Sequence, residues 1–496
     1  MIPVMKQLPY ALYRAEQVRE LDRLAMDYYG ICGNALMGTA GQALFDEIRR
    51  AFPRARSLAF MCGGGNNGGD GYVAARLARQ AGYRVELHHL VDPSDLLGEA
   101  RHACDEAIAA GVSMIQYDGQ TLDGFDLIVD ALLGIGLHGP VAGVWRAAIE
   151  AINAAATPVI AADIPSGLDA DNGAVMGAAV RADVTVCFIG LKRGIFTADG
   201  PDHCGRLCFA DLGVPHEAYA HLASHTERFD YAAVRPLFAR RPRNSHKGDF
   251  GHLLVIGGEH GMGGAVRLAA EAAVRCGAGM VSVATRSEQV AAITAARPEL
   301  MCHAVAQGSE LTPLLQRATV VVIGPGLGQR AWGRAMLSRV LDCGLPLVVD
   351  ADALNLLAQE PFYHDKWVLT PHPGEAARLL GCTTSEVQQG RFGAAASIVA
   401  SYGGVVVLKG AGSVIETLGG EPAVCSAGNP GMASGGMGDL LSGVIGALIA
   451  QGLGLEQAAR AGVALHAEAA DRAAVEGERG LLASDLLGQL RRLCNP

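Results

Sequence analysis

Leu58-Ala59-Phe60-Met61-Cys62-Gly63-Gly64-Gly65-Asn66-Asn67-Gly68-Gly69-Asp70-Gly71 is the stretch that decides how this chain folds. Its five apolar residues, 58–62, read as a short strand that stops at glycines. Residues 71–81 then read as a helix, with Val73, Leu77 and Ala81 on one face. A strand, a glycine-rich turn and a helix in that order form the repeating unit of a parallel α/β sheet. The glycines let backbone N–H groups come close to a ligand, and a helix start favours an anion such as phosphate. Two asparagines and an aspartate among the glycines make a sharper signal than a bare glycine repeat, against the competing reading of a merely structural turn. The spacing is not the dinucleotide fingerprint, so an ordinary dehydrogenase is not implied.

Outward from this unit the same grammar continues. Residues 85–91, 127–133, 159–163 and 184–189 read as strands, with helices near 98–110 and 142–155. It restarts after residue 250, with strands at 252–256, 281–284, 320–323, 347–349, 368–369 and 405–408. Helices are expected there at 263–277, 374–380, 385–401, 438–450 and 456–474. Between about 214 and 245 the pattern breaks, with Pro215, Pro236 and Pro242 among mixed charges and aromatics. The expectation is an α/β protein with two domains, residues 1–222 and 223–496, each with a parallel sheet between helical layers.

The bulk numbers narrow the function. Among 496 residues, half are apolar and 18% are charged, enough to bury sizeable cores. A net charge of -10 disfavours nucleic acid and anionic membranes as partners. Arg240, Arg241, Arg243 and Lys247 form one locally basic stretch, read either as a solvated linker or as part of a phosphate site. The 12 cysteines are scattered without a CxxC pair, so reduced thiols are expected; Cys204, Cys208 and the adjacent His203 lack further ligands at zinc spacing. Lys6, Pro9 and Arg14 interrupt the N-terminal apolar stretch, and no run is long enough to span a bilayer, so the expected compartment is the cytoplasm.

The chemistry-bearing clusters all follow expected strands, where ligands of open parallel sheets bind. In the first half, Asp130-Ala131-Leu132-Leu133-Gly134-Ile135-Gly136-Leu137 and Asp163-Ile164-Pro165-Ser166-Gly167-Leu168-Asp169 join the glycine motif. Asn67, Asp130 and Ser166 can supply hard oxygen ligands to one cation; a single carboxylate with neutral oxygens suits a monovalent ion, and helix capping is the rival role. In the second half, Asn429-Pro430-Gly431-Met432-Ala433-Ser434-Gly435-Gly436-Met437-Gly438-Asp439 opens an apolar helix. Its N–H groups can form an anion hole, and Asp439 is placed to take a proton from a hydroxyl attacking a phosphoryl group, unless it only serves the helix dipole. Lys409-Gly410-Ala411-Gly412-Ser413 reads as a nucleotide loop or a plain turn, and it is not a Walker loop.

GGGNNGGDG, DALLGIGL and DIPSGLD, with Leu36-Met37 and Ala40-Gly41 upstream, closely resemble the NAD(P)H-hydrate epimerase domain over residues 10 to 215. The resemblance implies a Rossmann-like fold and a substrate site of Asn66, Asn67, Gly68, Gly69, Asp70, Gly134, Ile135, Gly136, Leu137, His138, Gly139, Pro140 and Asp163. It also implies potassium held by Asn67, Asp130 and Ser166, with Asp130 as catalytic acid/base. Gly38 departs from the family, which usually has glutamate there.

HKGDFGH, GPGLG, DADALN, HPGE, KGAGS and GNPGMASGGMGD, in that order over residues 230 to 493, resemble the ADP-dependent NAD(P)H-hydrate dehydratase domain. Its fold is ribokinase-like. The resemblance implies substrate contacts at Ala265, Gly326, His372 and Asp439, and ADP or AMP contacts at Lys409, Gly410, Ala411, Gly412, Ser413 and Gly438. Asp439 would be the base, with magnesium at the phosphates and ADP as phosphoryl donor. Met437 stands where threonine is frequent, and a backbone-lined anion hole does not need that side chain. The implied partners are hydrated NADH and NADPH, in a homo-oligomeric protein. A small-molecule kinase, or a first domain kept only for binding, are the alternatives.

Overall fold

The structure is a computed structural model that describes residues 8–222 and 226–495. Two compact units divide between Glu227 and Arg228. The sequence boundary at 222 and 223 touches residues 223–225, which lie outside the described ones.

In the first unit, β1 (Ala11–Tyr13) precedes a sheet built from β2 (Ser57–Cys62), β3 (Arg84–His89), β4 (Ser113–Gln116), β5 (Leu127–Ala131), β6 (Val159–Ala162) and β7 (Val184–Phe188). The short β8 (Leu191–Lys192) pairs with β1, and β9 (Arg206–Ala210) completes the sheet. The order is β4-β3-β2-β5-β6-β7-β9, parallel throughout. The chain reverses its direction of winding between β2 and β5, the switch point where such sheets open a crevice.

Alternation along β2 explains the layers. Leu58, Phe60 and Cys62 pack with Leu44 and Ile48 of the helix Gly33–Ala51 and with Tyr72 and Val73 of the helix Asn66–Gln80. Ala59 and Met61 point to the other face, with Ile149 and Ile152 of the helix Gly143–Ala154. Burial on both faces is why the strand reads as one apolar run.

The expected helix over 71–81 starts five residues earlier, at Asn66, with Gly65 as its cap. Glycine inside a helix costs about 1 kcal/mol against alanine, but packing here leaves no room for a side chain. A Cβ on Gly68 would lie 2.1 Å from the Gly63 carbonyl oxygen, and one on Gly71 would lie 2.6 Å from the Ala131 Cβ. The buried face is Tyr72, Val73, Ala74, Ala75 and Ala78, whereas Leu77 is half-buried and Ala81 is an exposed cap. Alanines win the core face because helices flank this one closely.

The strand β10 (Thr226–Phe229) lies at the division. The second unit is built on β11 (His252–Ile256), β12 (Met280–Thr285), β13 (Met301–Ala304), β14 (Val320–Ile323), β15 (Leu347–Val349), β16 (Trp367–Leu369), β17 (Val405–Leu408), β18 (Val414–Thr417) and β19 (Ala423–Cys425). Their order is β13-β12-β11-β14-β15-β16-β17-β18-β19. Strands from β13 to β17 are parallel, and β18 and β19 continue the sheet in antiparallel pairing. The expected helix 385–401 is two helices, Thr384–Gln389 and Arg391–Tyr402. Gly390, at φ -139° and ψ 50°, interrupts them. The helix Met437–Ala450 is buried on almost every face and forms the centre of this unit's core.

Candidate active sites

In the first unit, a cavity of about 600 Å³ opens at the carboxyl ends of the strands. The start of the helix Asn66–Gln80 brings Asn66, Asn67 and Asp70 to its wall. The turn after β5 contributes Gly134, Ile135, Gly136 and Leu137, and the end of β6 contributes Asp163. Upstream, Leu36, Met37 and Ala40 supply an apolar side. Gly68 and Gly69 instead pack inward, and His138, Gly139 and Pro140 are exposed beyond the wall. A Cβ at Gly38 would meet no atom within 4 Å.

Beneath this wall, Asp130 is fully buried. Its Oδ1 accepts the Ser166 hydroxyl at 2.6 Å and the Leu132 N–H at 3.2 Å, and its Oδ2 accepts the Ser166 N–H at 2.8 Å. Burial pushes its carboxyl up to about 6, against the pull of those hydrogen bonds. Asn67 Oδ1 and Nδ2 are buried without a hydrogen-bond partner. Such orphaned polar atoms normally cost 1–3 kcal/mol each, roughly, so they call for a ligand. Asp130 is not among the residues that line the cavity, whereas Leu132, Leu133 and Gly134 just beyond it are.

Sequence reasoning missed three further groups here. Lys192 is fully buried and ion-paired with Asp163, whose Oδ1 also accepts the Phe188 N–H at 3.0 Å. Asp22, from the helix Ala15–Asp27, and Arg19 line the same cavity. Nothing in the local pattern marks Asp22 or Lys192, because only the fold brings them to the strand ends.

In the second unit, the start of the helix Met437–Ala450 meets the ends of β15, β16 and β17. Lys409 Nζ lies 2.8 Å from Asp350 Oδ1 and 3.9 Å from Glu375 Oε2. Asp350 Oδ2 accepts the Ser442 hydroxyl at 2.5 Å. Gly438 sits directly over this pair: a Cβ there would lie 3.1 Å from Lys409 Nζ and 3.7 Å from Asp350 Oδ2. Asp439 is half-buried beside them; burial and the Asp350 charge raise its carboxyl to about 6, with Lys409 pulling the other way. Burial disfavours a charged Lys409, but Asp350 and Glu375 outweigh it and hold the ammonium above its ordinary range.

Of the other expected residues, His372 feels the charges of both Lys409 and Asp350. His372 caps the helix Pro373–Leu380, its Nδ1 accepting the Gly374 N–H at 3.0 Å. Burial and the charges of Lys409 and Arg378 keep its ring below the usual range. Gly326 has φ +58°, and a Cβ on it would meet the Ala265 Cβ at 3.3 Å, so these two are neighbours. The loop from Lys409 to Ser413 is braced from below by the fully buried Arg391, whose Nη2 donates toward the carbonyls of Leu408, Lys409 and Gly412 at 3.1, 3.2 and 3.3 Å. Asp350, Glu375 and Arg391 were given no role from sequence. Asp350 and Glu375 sit inside quoted motifs, and that was the available signal.

The family described as NAD(P)H-hydrate dehydratase matches residues 253–492. The family described as YjeF-related protein N-terminus matches residues 33–194. The chain is 50% identical over 486 residues to the bifunctional NAD(P)H-hydrate repair enzyme Nnr of Coxiella burnetii, covering 98% of this chain and 99% of that one. It is 46% identical to the enzyme of the same name in Escherichia coli, covering 99% and 95%. Among solved structures it is similar to a ribokinase-like superfamily protein from Enterococcus faecalis, with TM-score 0.52 and 30% identity over 55% of this chain and 96% of that one.

Proposed function

The chain belongs to the bifunctional NAD(P)H-hydrate repair enzymes, and from that premise we propose that its first unit interconverts the R and S epimers of hydrated NADH and NADPH while its second dehydrates the S epimer with ADP. The observation that carries this reading is the helix start at Gly438 over the Lys409–Asp350 pair, with Asp439 one residue on.

Hydration leaves a hydroxyl on C6 of the nicotinamide ring, and hydroxide is a poor leaving group. Asp439 takes the proton of that hydroxyl as its oxygen attacks the terminal phosphorus of ADP, releasing AMP. The N–H groups at the helix start and the Lys409 ammonium hold the phosphoryl oxygens. The C6–O bond then breaks with help from the N1 electron pair. Phosphate departs, C5 loses a proton, and the reduced nicotinamide is restored.

Two ions belong to the reading. The orphaned Asn67 side chain, the buried Asp130 carboxylate and the Ser166 hydroxyl bonded to it fit a monovalent cation. Potassium there would balance the Asp130 charge and fix the turn after β5. Among the described residues, no three His, Cys, Asp or Glu side chains cluster to hold a metal. Magnesium would therefore come with the nucleotide phosphates, as that ion commonly does.

The test is incubation of mixed hydrate epimers with ADP and magnesium. Reduced-nicotinamide absorbance should return, with AMP and phosphate released one for one. A stable phosphorylated product would mark a small-molecule kinase instead.

A further inference from the structure

We propose that Asp22 and Asp70 are the base and acid of the epimerisation, working on the two ends of the C6–N1 bond. The inference rests on the epimerase reading of the first unit.

Asp22, Asp70 and Asp163 line one cavity from three separate elements. Asp163 is committed: it is paired with the buried Lys192 and accepts the Phe188 N–H. Its backbone is held at φ +63°, in the left-handed region, so its direction is fixed by the surrounding fold. The Lys192 ammonium is committed too, with the Phe188 carbonyl 3.2 Å away. Asp130 lies behind the wall with its oxygens occupied by Ser166 and Leu132. Of the other ionisable groups on the wall, Arg19 donates to the Ile135 carbonyl at 2.8 Å, and Glu99 reaches over Gly33.

Asp22 and Asp70 have no such commitments, and among the described residues neither carboxylate figures in a hydrogen bond or ion pair. Burial and the charge of Asp163 push Asp22 up to about 6, with Lys192 pulling it down. Burial, Asp163 and Asp22 push Asp70 well above the carboxylate range. Two carboxyls that face one cavity, both raised by burial and by neighbouring carboxylate charge, suit an acid/base pair.

The substrate is a hemiaminal, with a hydroxyl and N1 on the same carbon. The Asp22 carboxylate removes the hydroxyl proton. The oxygen's electrons form the C6 carbonyl, the C6–N1 bond breaks, and its electron pair stays on N1, which takes the Asp70 proton. The freed aldehyde rotates about C5–C6. N1 then attacks its opposite face, Asp22 returns the proton to oxygen and Asp70 recovers its own. No electron or proton is gained or lost overall.

The experiment uses the full chain, with Asp22→Asn and Asp70→Asn compared to wild type on the pure R epimer. Each variant should lose about 100-fold or more in epimerisation kcat with KM little changed, and should still dehydrate the S epimer at the wild-type rate. The wild-type acid limb near pH 6 should be absent from the residual activity of Asp22→Asn. In water labelled with oxygen-18, ring opening and reclosure without release keep the original oxygen on C6 of the product. Full wild-type kcat in either variant, or label in every inverted molecule, overturns the proposal. A wild-type chain that leaves the R epimer unchanged overturns the epimerase reading itself.

Discussion

Lys409 and Asp350 form an ion pair at 2.8 Å, with the Asp350 carboxylate fully enclosed and the Lys409 side chain 19% exposed. The pair joins the end of β17 to the end of β15 and lies under the first turn of the helix Met437–Ala450. One contact therefore sets both the floor beneath that helix start and the position of the loop from Lys409 to Ser413.

Removing one member leaves the other charge without its partner. Asp350→Ala should destabilise the second unit by about 3 kcal/mol, the lower end for a broken buried pair. It should also abolish dehydration. The double variant Asp350→Ala, Lys409→Met should regain part of that stability, since the ammonium is no longer left with only the more distant Glu375 at 3.9 Å. Chemical denaturation of the three proteins gives the comparison.

Dehydration should carry an acid limb near pH 6, falling about tenfold per pH unit below it, because the proposed base Asp439 would act ionised and its carboxyl is raised to about 6. Stability moves oppositely. A raised folded pKa means the protonated form favours the fold, fully so below the ordinary carboxylate range. That contribution is lost as pH rises through about 6. Asp439→Asn should therefore melt higher than wild type at pH 8 and alike at pH 4, while inactive.

Ser166→Ala removes the 2.6 Å hydrogen bond to Asp130 and the acceptor of the Leu133 N–H. The loss should be about 2 kcal/mol in the first unit, typical of hydrogen bonds to a charged group. Wild type should melt higher in potassium chloride than in choline chloride, and Ser166→Ala should narrow that gap.

Arg391→Met frees the carbonyls of Leu408, Lys409 and Gly412. At about 1 kcal/mol per hydrogen bond, KM for ADP should rise about tenfold or more, with epimerisation unchanged. Initial rates over a series of ADP concentrations decide it.

Much of this was legible in the chain. The strands 252–256 and 320–323 match β11 and β14 residue for residue, because apolar runs bounded by turns mark strands buried on both faces. Strands at sheet edges escaped: β4 and β13 are half-exposed, and their mixed residues carry no apolar run. The helix at Asn66 began inside what reads as a glycine turn, since only packing against β2 and β5 makes those glycines helical. Asp439, His372 and the loop from Lys409 were visible as motifs. Asp22 and Lys192 were not, because 170 positions of chain separate them and only the fold places both near Asp163.

Supplying the pure R epimer of hydrated NADPH, ADP and magnesium to wild type and to Asp439→Ala tests the division of labour between the units most directly. Wild type should pass R to S and then restore the absorbance of NADPH with ADP consumed in step. Asp439→Ala should carry R to an R and S mixture and stop there. Absorbance recovered by Asp439→Ala, or an R epimer that neither protein touches, would contradict the account.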